Sequence, residues 1–326
     1  MQNIAIILPA FNEELTISST IIDFNRVLPQ AAIWVINNCS SDATESEAKN
    51  TLKLLSCHGG VINEPRLGKG NAVRRGFMEV EADVYVLVDA DSTYLADDLP
   101  ALLFPMLSNS ADMVVGDRHV EGYYKRENKR ALHGFGNRLV RDLVNRLFKA
   151  NLSDILSGYR IFSRRFVKSY PVLVDGFDIE VDMTLHALDK RLFVVEIPVK
   201  YRDRPDGSLS KLNTVQDGLR VLNTLFNILR YYRPLFFFGT FSIIFLIIGL
   251  ILGMPVVLEF IHSRHVSHVP LAILSTGVEV IAVVLATVGL VLDSMAQLDK
   301  RLFERDLLRI AVESNERQVS SESSLK

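Results

Sequence analysis

The sequence predicts an α/β domain built on a parallel sheet, followed by an amphipathic helix and two membrane spans. Three observations carry this. The first hundred residues alternate short apolar runs with segments of helical spacing, the pattern of repeated βαβ units. The most apolar of those runs, Val84-Tyr85-Val86-Leu87-Val88, leads directly into Asp89-Ala90-Asp91. Near the C-terminus, Leu235 to Leu258 carries no charged residue, and Leu271 to Leu292 carries only Glu279. Each stretch is long enough to span a bilayer.

Taken in order, Asn3 to Leu8 reads as a strand, and Glu13 to Leu28 as a helix that Asn12 would cap. Ala32 to Asn37 is a second strand, Asp42 to Ser56 a polar helix, and Gly60 to Asn63 a short third strand. Gly68 to Val80 is a helix opening on Gly-Lys-Gly, and Val84 to Val88 is the fourth strand. Right-handed crossovers then bring Pro9, Asn37, Glu64 and Asp89 to one edge of the sheet, where open α/β sheets bind nucleotides. Met113 to Gly116 reads as another strand and Arg126 to Lys149 as a basic helix. Leu192 to Pro198 reads as a strand at the sheet edge. Thr214 to Tyr232 places Leu219, Leu222, Leu225, Phe226 and Leu229 on one side, as an interfacial helix does. The tail after Glu313 is rich in Ser and Glu, a composition that favours disorder.

The chain has 326 residues and a net charge of −2, so no global basic field draws it to nucleic acid. Basic residues cluster instead, from Arg118 to Arg146 and from Lys200 to Lys211. Cys39 and Cys57 suggest no disulfide scaffold, and Ile4 to Leu8 is too short for a signal-peptide core. Arg230 and Arg233 precede the first span, and Lys300, Arg301 and Arg305 follow the second. The positive-inside rule therefore puts both ends in the cytoplasm and the loop outside. His262, His265 and His268 in that loop read as neutral interfacial residues, with no nearby carboxylate to complete a metal site. Glu279 is costly in lipid and is expected to face another helix or subunit, which leaves a homo-oligomer open.

The acidic pair at the end of the fourth strand offers hard oxygen ligands to Mg²⁺ or Mn²⁺, which can hold a diphosphate. Pro9-Ala10-Phe11-Asn12-Glu13, Asn37-Asn38-Cys39-Ser40-Ser41-Asp42, Gly68-Lys69-Gly70, Asp89-Ala90-Asp91 and Ser157-Gly158-Tyr159-Arg160 occur in that order. Together they resemble family 2 glycosyltransferases of the polyprenyl-phosphate type. That group includes dolichol-phosphate mannose synthases and bacterial undecaprenyl-phosphate sugar synthases. The resemblance covers roughly residues 1 to 235 and the two-span tail.

The resemblance implies a GT-A-type, Rossmann-like nucleotide-sugar-binding domain over residues 1–212 on the cytoplasmic face. Beyond it come an interfacial helix (213–233), a two-span segment (234–294) and a cytoplasmic tail (295–326). It implies an inverting transfer from a nucleotide-sugar, UDP-linked, to a polyprenyl phosphate, at a membrane expected to be the bacterial inner membrane. Pro9, Ala10, Asn12, Glu13, Asn37, Lys69, Asp89, Ala90, Asp91 and Arg202 fall on donor-binding positions. Asp89 and Asp91 fall on the metal positions. A Gln two residues after the second Asp is common in the family, and Thr93 stands there. The family also has Asp where Asn37 stands; the Asn carbonyl still accepts a uracil N3–H, without charge.

Asp91, Asp154 and Lys211 are the implied catalytic set. Asp154 falls on the candidate base, but a phosphate monoester is already largely dianionic at neutral pH, its second pKa being about 6. The reading therefore leaves Asp154 as base or as orienting acid. Arg118, Arg130, Arg138, Arg204, Ser210 and Lys211 are the acceptor-phosphate candidates, the last three lying in Arg204-Pro-Asp-Gly-Ser-Leu-Ser-Lys-Leu212. Two rivals stand beside this reading. A processive polysaccharide synthase would carry Gln-x-x-Arg-Trp, yet the only Trp is Trp34, inside a strand. A non-catalytic membrane scaffold would not need the acidic pair and the lysine.

Overall fold

A computed structural model describes residues 2–119, 131–174, 179–202 and 224–324. The chain divides into two compact units, Met1–Gly218 with Asp306–Lys326, and Leu219–Arg305.

In the first unit the strands are β1 (Ile4–Ala10), β2 (Ala32–Asn37), β3 (Gly59–Asn63), β4 (Val84–Leu87), β5 (Met113–Asp117), β6 (Arg160–Ser163) and β7 (Val194–Pro198). They form one sheet in the order β3-β2-β1-β4-β6-β5-β7. The helices are α1 (Ile17–Val27), α2 (Thr44–Leu54), α3 (Lys69–Glu79), α4 (Leu99–Leu107), α5 (Ala131–Phe148), α6 (Arg164–Ser169) and α7 (Ile179–Asp189). β1 and β4 are continuous apolar runs because helices cover both faces of the sheet. Ile6, Ile7, Leu8, Tyr85 and Val86 are fully buried. Burial of each such aliphatic side chain contributes about 1.5–3 kcal/mol, so the central strands are the firmest part of the scaffold.

The parallel register sets the site. Ala10 lies opposite Asn37, and Asn37 opposite Asn63, while Ile7 lies opposite Leu87. The ends of β1, β2, β3 and β4 therefore open on one edge, as the alternating pattern predicts.

The sheet is mixed, however, not purely parallel. β6 runs antiparallel to β4 and β5, between them, and sequence periodicity gave no sign of it. Four residues beginning with Arg160 do not look like a strand. Their pairing is tertiary, and Arg160 is fully buried. Its guanidinium donates to the carbonyls of Ser157 and Ile155, both at 2.8 Å, and to Thr184 Oγ1 at 2.9 Å. Because β6 is antiparallel, its start pairs with the end of β4, Leu87 opposite Arg160. The loop before β6 thus reaches the same edge as Asp89.

The second unit holds helical residues 224–232 (α8), α9 (Pro234–Ser263) and most of α10, which runs from Val269 to Ser324. Pro234–Ser263 and Val269–Val312 are long and apolar enough to cross a membrane. α10 continues through the segment whose composition favours disorder. No Gly or Pro follows Gly289 to break it. α9 and α10 pack along small residues. Ser275 Oγ donates to the Gly249 carbonyl at 3.1 Å, and Ser242 Oγ to Ala282 O at 2.7 Å. Glu279 does face a helix: a Cβ on Gly249 would sit 2.6 Å from its Cγ. His262 and His268 are spent separately. His268 Nδ1 lies 3.0 Å from Glu259 Oε2, a carboxylate nine residues back that the sequence reading overlooked, and His262 bonds Leu258 O.

Candidate active site

The loops after β1 and β2 are sewn together. Asn12 N–H donates to Ser40 Oγ at 3.0 Å, and Ser41 N–H to Asn12 Oδ1 at 2.8 Å. Glu13 N–H donates to Thr44 Oγ1 at 2.8 Å. Asn12 therefore does not cap α1, which starts four residues later than expected, at Ile17. Asp42 accepts from Thr44 N–H at 3.0 Å and Glu14 N–H at 3.2 Å, joining the two loops at the start of α2. Burial pushes the Asp42 carboxyl up, but the Thr44 and Glu14 bonds outweigh it and hold it below its usual value. Asn12, Cys39 and Ser92 sit at φ of 56°, 59° and 57°, just beyond β1, β2 and β4. Left-handed backbone at such residues costs about 1–3 kcal/mol each and persists where tertiary bonds fix it, often at functional sites.

Pro9 is half-buried and Ala10 buried at the end of β1. Asn37, ending β2, is 6% exposed. Its Nδ2 donates to Asn63 Oδ1 at 2.9 Å and reaches Glu45 Oε2 at 3.5 Å. Its Oδ1 is buried with no partner among the described residues. An unsatisfied buried acceptor costs about 1–3 kcal/mol, so a ligand N–H arriving there gains that much back. Asn38 pins the next loop, donating to Arg66 O at 2.6 Å and accepting from Gly68 N–H at 2.8 Å. Glu64, just past β3, is gripped by Arg66 at 2.7 Å, which pulls its carboxyl down to about 2.

Gly68, at φ 133°, turns the chain into α3 and delivers Lys69. Lys69 Nζ lies 2.5 Å from Asp89 Oδ1 and 2.5 Å from Glu180 Oε1. Glu180, at the start of α7, is 5% exposed. Burial pushes the Lys69 ammonium down, but the two carboxylates more than offset that and raise it well above its ordinary value. Asp91 is 3% exposed, and its Oδ1 accepts from the Thr93 hydroxyl at 2.6 Å and amide at 3.2 Å. Thr93 thus orients the acid. Ala90 between them is core. Gly158 abuts Asp89 so closely that a Cβ would collide with the carboxylate. Its N–H donates to the Tyr94 hydroxyl at 2.9 Å.

A second cluster lies where the β5 and β6 loops meet. Asp154 is 2% exposed. Arg118 grips it from Nε at 2.6 Å and Nη2 at 2.9 Å, and Leu156 N–H adds a bond at 3.1 Å. Burial pushes the Asp154 carboxyl up, yet Arg118 outweighs it and holds it below its usual value. Such a carboxylate is a poor base and a good orienting group. Arg118 is accordingly part of a buried neutral pair, not an exposed cation, and its guanidinium lies 5.4 Å over the Tyr201 ring. Glu196 on β7 accepts from the Ser153 and Asp154 amides at 2.7 and 2.8 Å, fixing the loop that carries Asp154. Asp117, His119 and Asp154 bring ligand atoms within 4.8 Å of one another.

Arg202 is exposed, and its N–H donates to Thr93 O at 2.8 Å, so it is tied to the Asp91 loop. Arg138 is exposed on α5. Arg130, Arg204, Ser210 and Lys211 lie outside the described residues. Sequence reasoning missed Glu45, Asn63, Asp117, His119 and Glu196. None of them stands in a recognisable motif, and each acts through a contact made only in the fold.

The Glycosyl transferase family 2 profile matches residues 5–170, from β1 through α6. The chain belongs to glycosyltransferase family 2. It is a glycosyltransferase with a GT-A-like fold. It is 30% identical over 306 residues to Glycosyltransferase AglJ of Haloferax volcanii, covering 93% of this chain and 96% of that one. It is 27% identical over 225 residues to the undecaprenyl-phosphate mannosyltransferase of Micrococcus luteus, covering 67% and 90%. Among solved structures it resembles glucosyl-3-phosphoglycerate synthase from Mycobacterium tuberculosis, crystallised with Mn²⁺, UDP and glucosyl-3-phosphoglycerate. That likeness has a TM-score of 0.53 and 22% identity over 70% of this chain and 79% of that one. At that identity it speaks for the fold.

Proposed function

We propose that this glycosyltransferase moves one sugar from a UDP-linked donor to a polyprenyl phosphate at a membrane surface, with inversion at C1. The observation that carries the reading is the gathering of Asp89, Lys69 and Glu180 at the β4 edge, beside an oriented Asp91. The polyprenyl-phosphate acceptor rests on relatives such as the undecaprenyl-phosphate mannosyltransferase. The two apolar helices would hold the chain at the bilayer, where such an acceptor is buried.

The donor's base would lie over the end of β2, its imide N–H given to the orphan Asn37 carbonyl. Asn12 and Glu13 would border the ribose, and the diphosphate would meet Lys69, Arg202 and the cations of the 203–212 segment. Asp89 and Asp91 supply carboxylate oxygens, the donor set that Mg²⁺ and Mn²⁺ take. The Asp117–His119–Asp154 group fits an ion less well, because both Asp154 oxygens already accept from Arg118. A bound divalent cation supplies charge neutralisation for the departing diphosphate.

The lipid phosphate oxygen attacks C1 as the bond from C1 to the diphosphate oxygen breaks, and UDP leaves. No proton needs removing from a dianionic phosphate, so Asp154 serves by holding Arg118 in place. Arg118, oriented by Asp154, joins Lys211, Arg204, Ser210 and Arg130 as the acceptor-phosphate ligands of this proposal, with Arg138 the weakest because it lies on a solvated helix face.

The test is a transfer assay on the full chain in detergent. UDP-, GDP- and dTDP-sugars are offered with undecaprenyl phosphate or with undecaprenol. Transfer from a UDP-sugar to the phosphate alone is expected. Transfer to undecaprenol, or growth of a sugar polymer, would sink the reading.

A further inference from the structure

We propose that Glu45 on α2 sets nucleobase specificity. It fixes the amides of Asn63 and Asn37 so that only a base edge bearing an N–H is accepted there and cytosine is excluded. The proposal rests on the donor reading above and extends it to a residue with no place in the family motifs quoted.

The argument is one of donors and acceptors. Glu45 Oε1 accepts from Asn63 Nδ2 at 3.0 Å, and Glu45 Oε2 faces Asn37 Nδ2 at 3.5 Å. Asn63 Oδ1 in turn accepts from Asn37 Nδ2 at 2.9 Å. A carboxylate can only accept. It therefore dictates the orientation of Asn63, since a flipped amide would set oxygen against oxygen. Asn63 then presents its own oxygen to Asn37, and Asn37 must answer with its NH₂. One orientation satisfies all three side chains, and it leaves Asn37 Oδ1 buried and unpartnered. Lys49 Nζ, 2.6 Å from the same Glu45 Oε1, helps hold the carboxylate in place. The Lys49 and Asn63 bonds also hold the Glu45 carboxyl below its usual value, so it stays a pure acceptor through neutral pH.

Uracil offers N3–H to such an oxygen. Cytosine offers a bare N3, an acceptor against an acceptor. In Glu45→Gln the replacement amide can donate as well as accept, so the relay no longer has a single solution. Asn37 can then turn its NH₂ toward the base.

Calorimetric titration of the full-length protein in detergent with UDP and with CDP tests this. Wild type is expected to bind UDP at least about tenfold more tightly than CDP, the worth of one satisfied buried acceptor. Glu45→Gln and Asn63→Ala should both drive that ratio toward one, with CDP gaining in Glu45→Gln. Glu47→Gln, an exposed charge on the same helix, should leave the ratio alone. A structural role would weaken both nucleotides together and keep the ratio. A wild-type preference that survives in both folded variants overturns the assignment to Glu45. No preference in wild type overturns it too, and removes the uridine reading with it.

Discussion

Asp154→Asn separates a base from an orienting acid. Asp154 is 2% exposed and accepts four bonds, two from the Arg118 side chain, one from the Arg118 amide at 3.4 Å and one from Leu156. Asparagine keeps one acceptor and turns an NH₂ group on a guanidinium N–H. Hydrogen bonds to charged groups contribute about 1.5–3 kcal/mol each, so losing one and souring another costs about 3 kcal/mol of stability. The Arg118 guanidinium then drifts on the Tyr201 ring, and the acceptor is held less well. We expect an acceptor KM raised about tenfold or more and a kcat lowered by less than about tenfold, since general-base removal would cost about 10²–10⁴. The pH dependence has a definite sign. The folded-state carboxyl lies below its unfolded value of about 3.9. Its stabilisation is therefore present above that pH and lost as pH falls through the folded value. Wild type and variant should differ by a constant amount near neutrality and converge only in acid. Thermal melts and steady-state kinetics of the full chain read both effects. A fall in kcat beyond about 10², with stability nearly unchanged and the acid limb of the rate profile gone, would make Asp154 the base.

Three further outcomes follow from the same geometry. Lys69→Met leaves Asp89 and Glu180 facing each other without their cation, at a cost of about 3 kcal/mol with donor binding lost. In wild type the Lys69 contribution is present below its unfolded pKa of about 10.4 and is lost as pH rises through the elevated folded value. The variant should instead become more stable in mild acid, read by melting temperature against pH. Gly158→Ala forces the Asp89 carboxylate aside, so Mn²⁺-supported UDP binding should weaken far more than the melting temperature falls. Gly249→Leu intrudes on Glu279 and should lower the detergent melting temperature without changing the kcat of the residual folded enzyme.

Much of this was legible in the sequence, for identifiable reasons. The βαβ half was visible because its central strands, β1 and β4, are buried on both faces and read as apolar runs. Its register alone aligned Asn37, Asn63 and Asp89 on one edge. The acid pair and Gly68-Lys69-Gly70 were visible because each is a short contiguous motif at the end of a strand or the start of a helix. β6 was hidden, since its strand character comes from β4 and β5 and its leading Arg160 argues against burial. The start of α1 was misplaced because Asn12 looked like a cap, while in the fold Ser41 takes its side chain. Asp154 stands out in the sequence as a motif residue, but its pairing with Arg118 does not. A basic residue 36 positions away gives no sign of being spent on a buried carboxylate. Glu45, Asn63 and Glu196 were invisible for the same reason: each is an ordinary polar residue until the sheet places it.

The most direct measurement is single-turnover transfer from a labelled UDP-sugar to undecaprenyl phosphate, with Mg²⁺ or Mn²⁺, by wild type and Asp91→Ala. One labelled lipid product, formed by wild type, suppressed by chelator and abolished in a folded Asp91→Ala, is the predicted result. Equal transfer by the variant, or none by folded wild type from any nucleotide-sugar, would contradict the account.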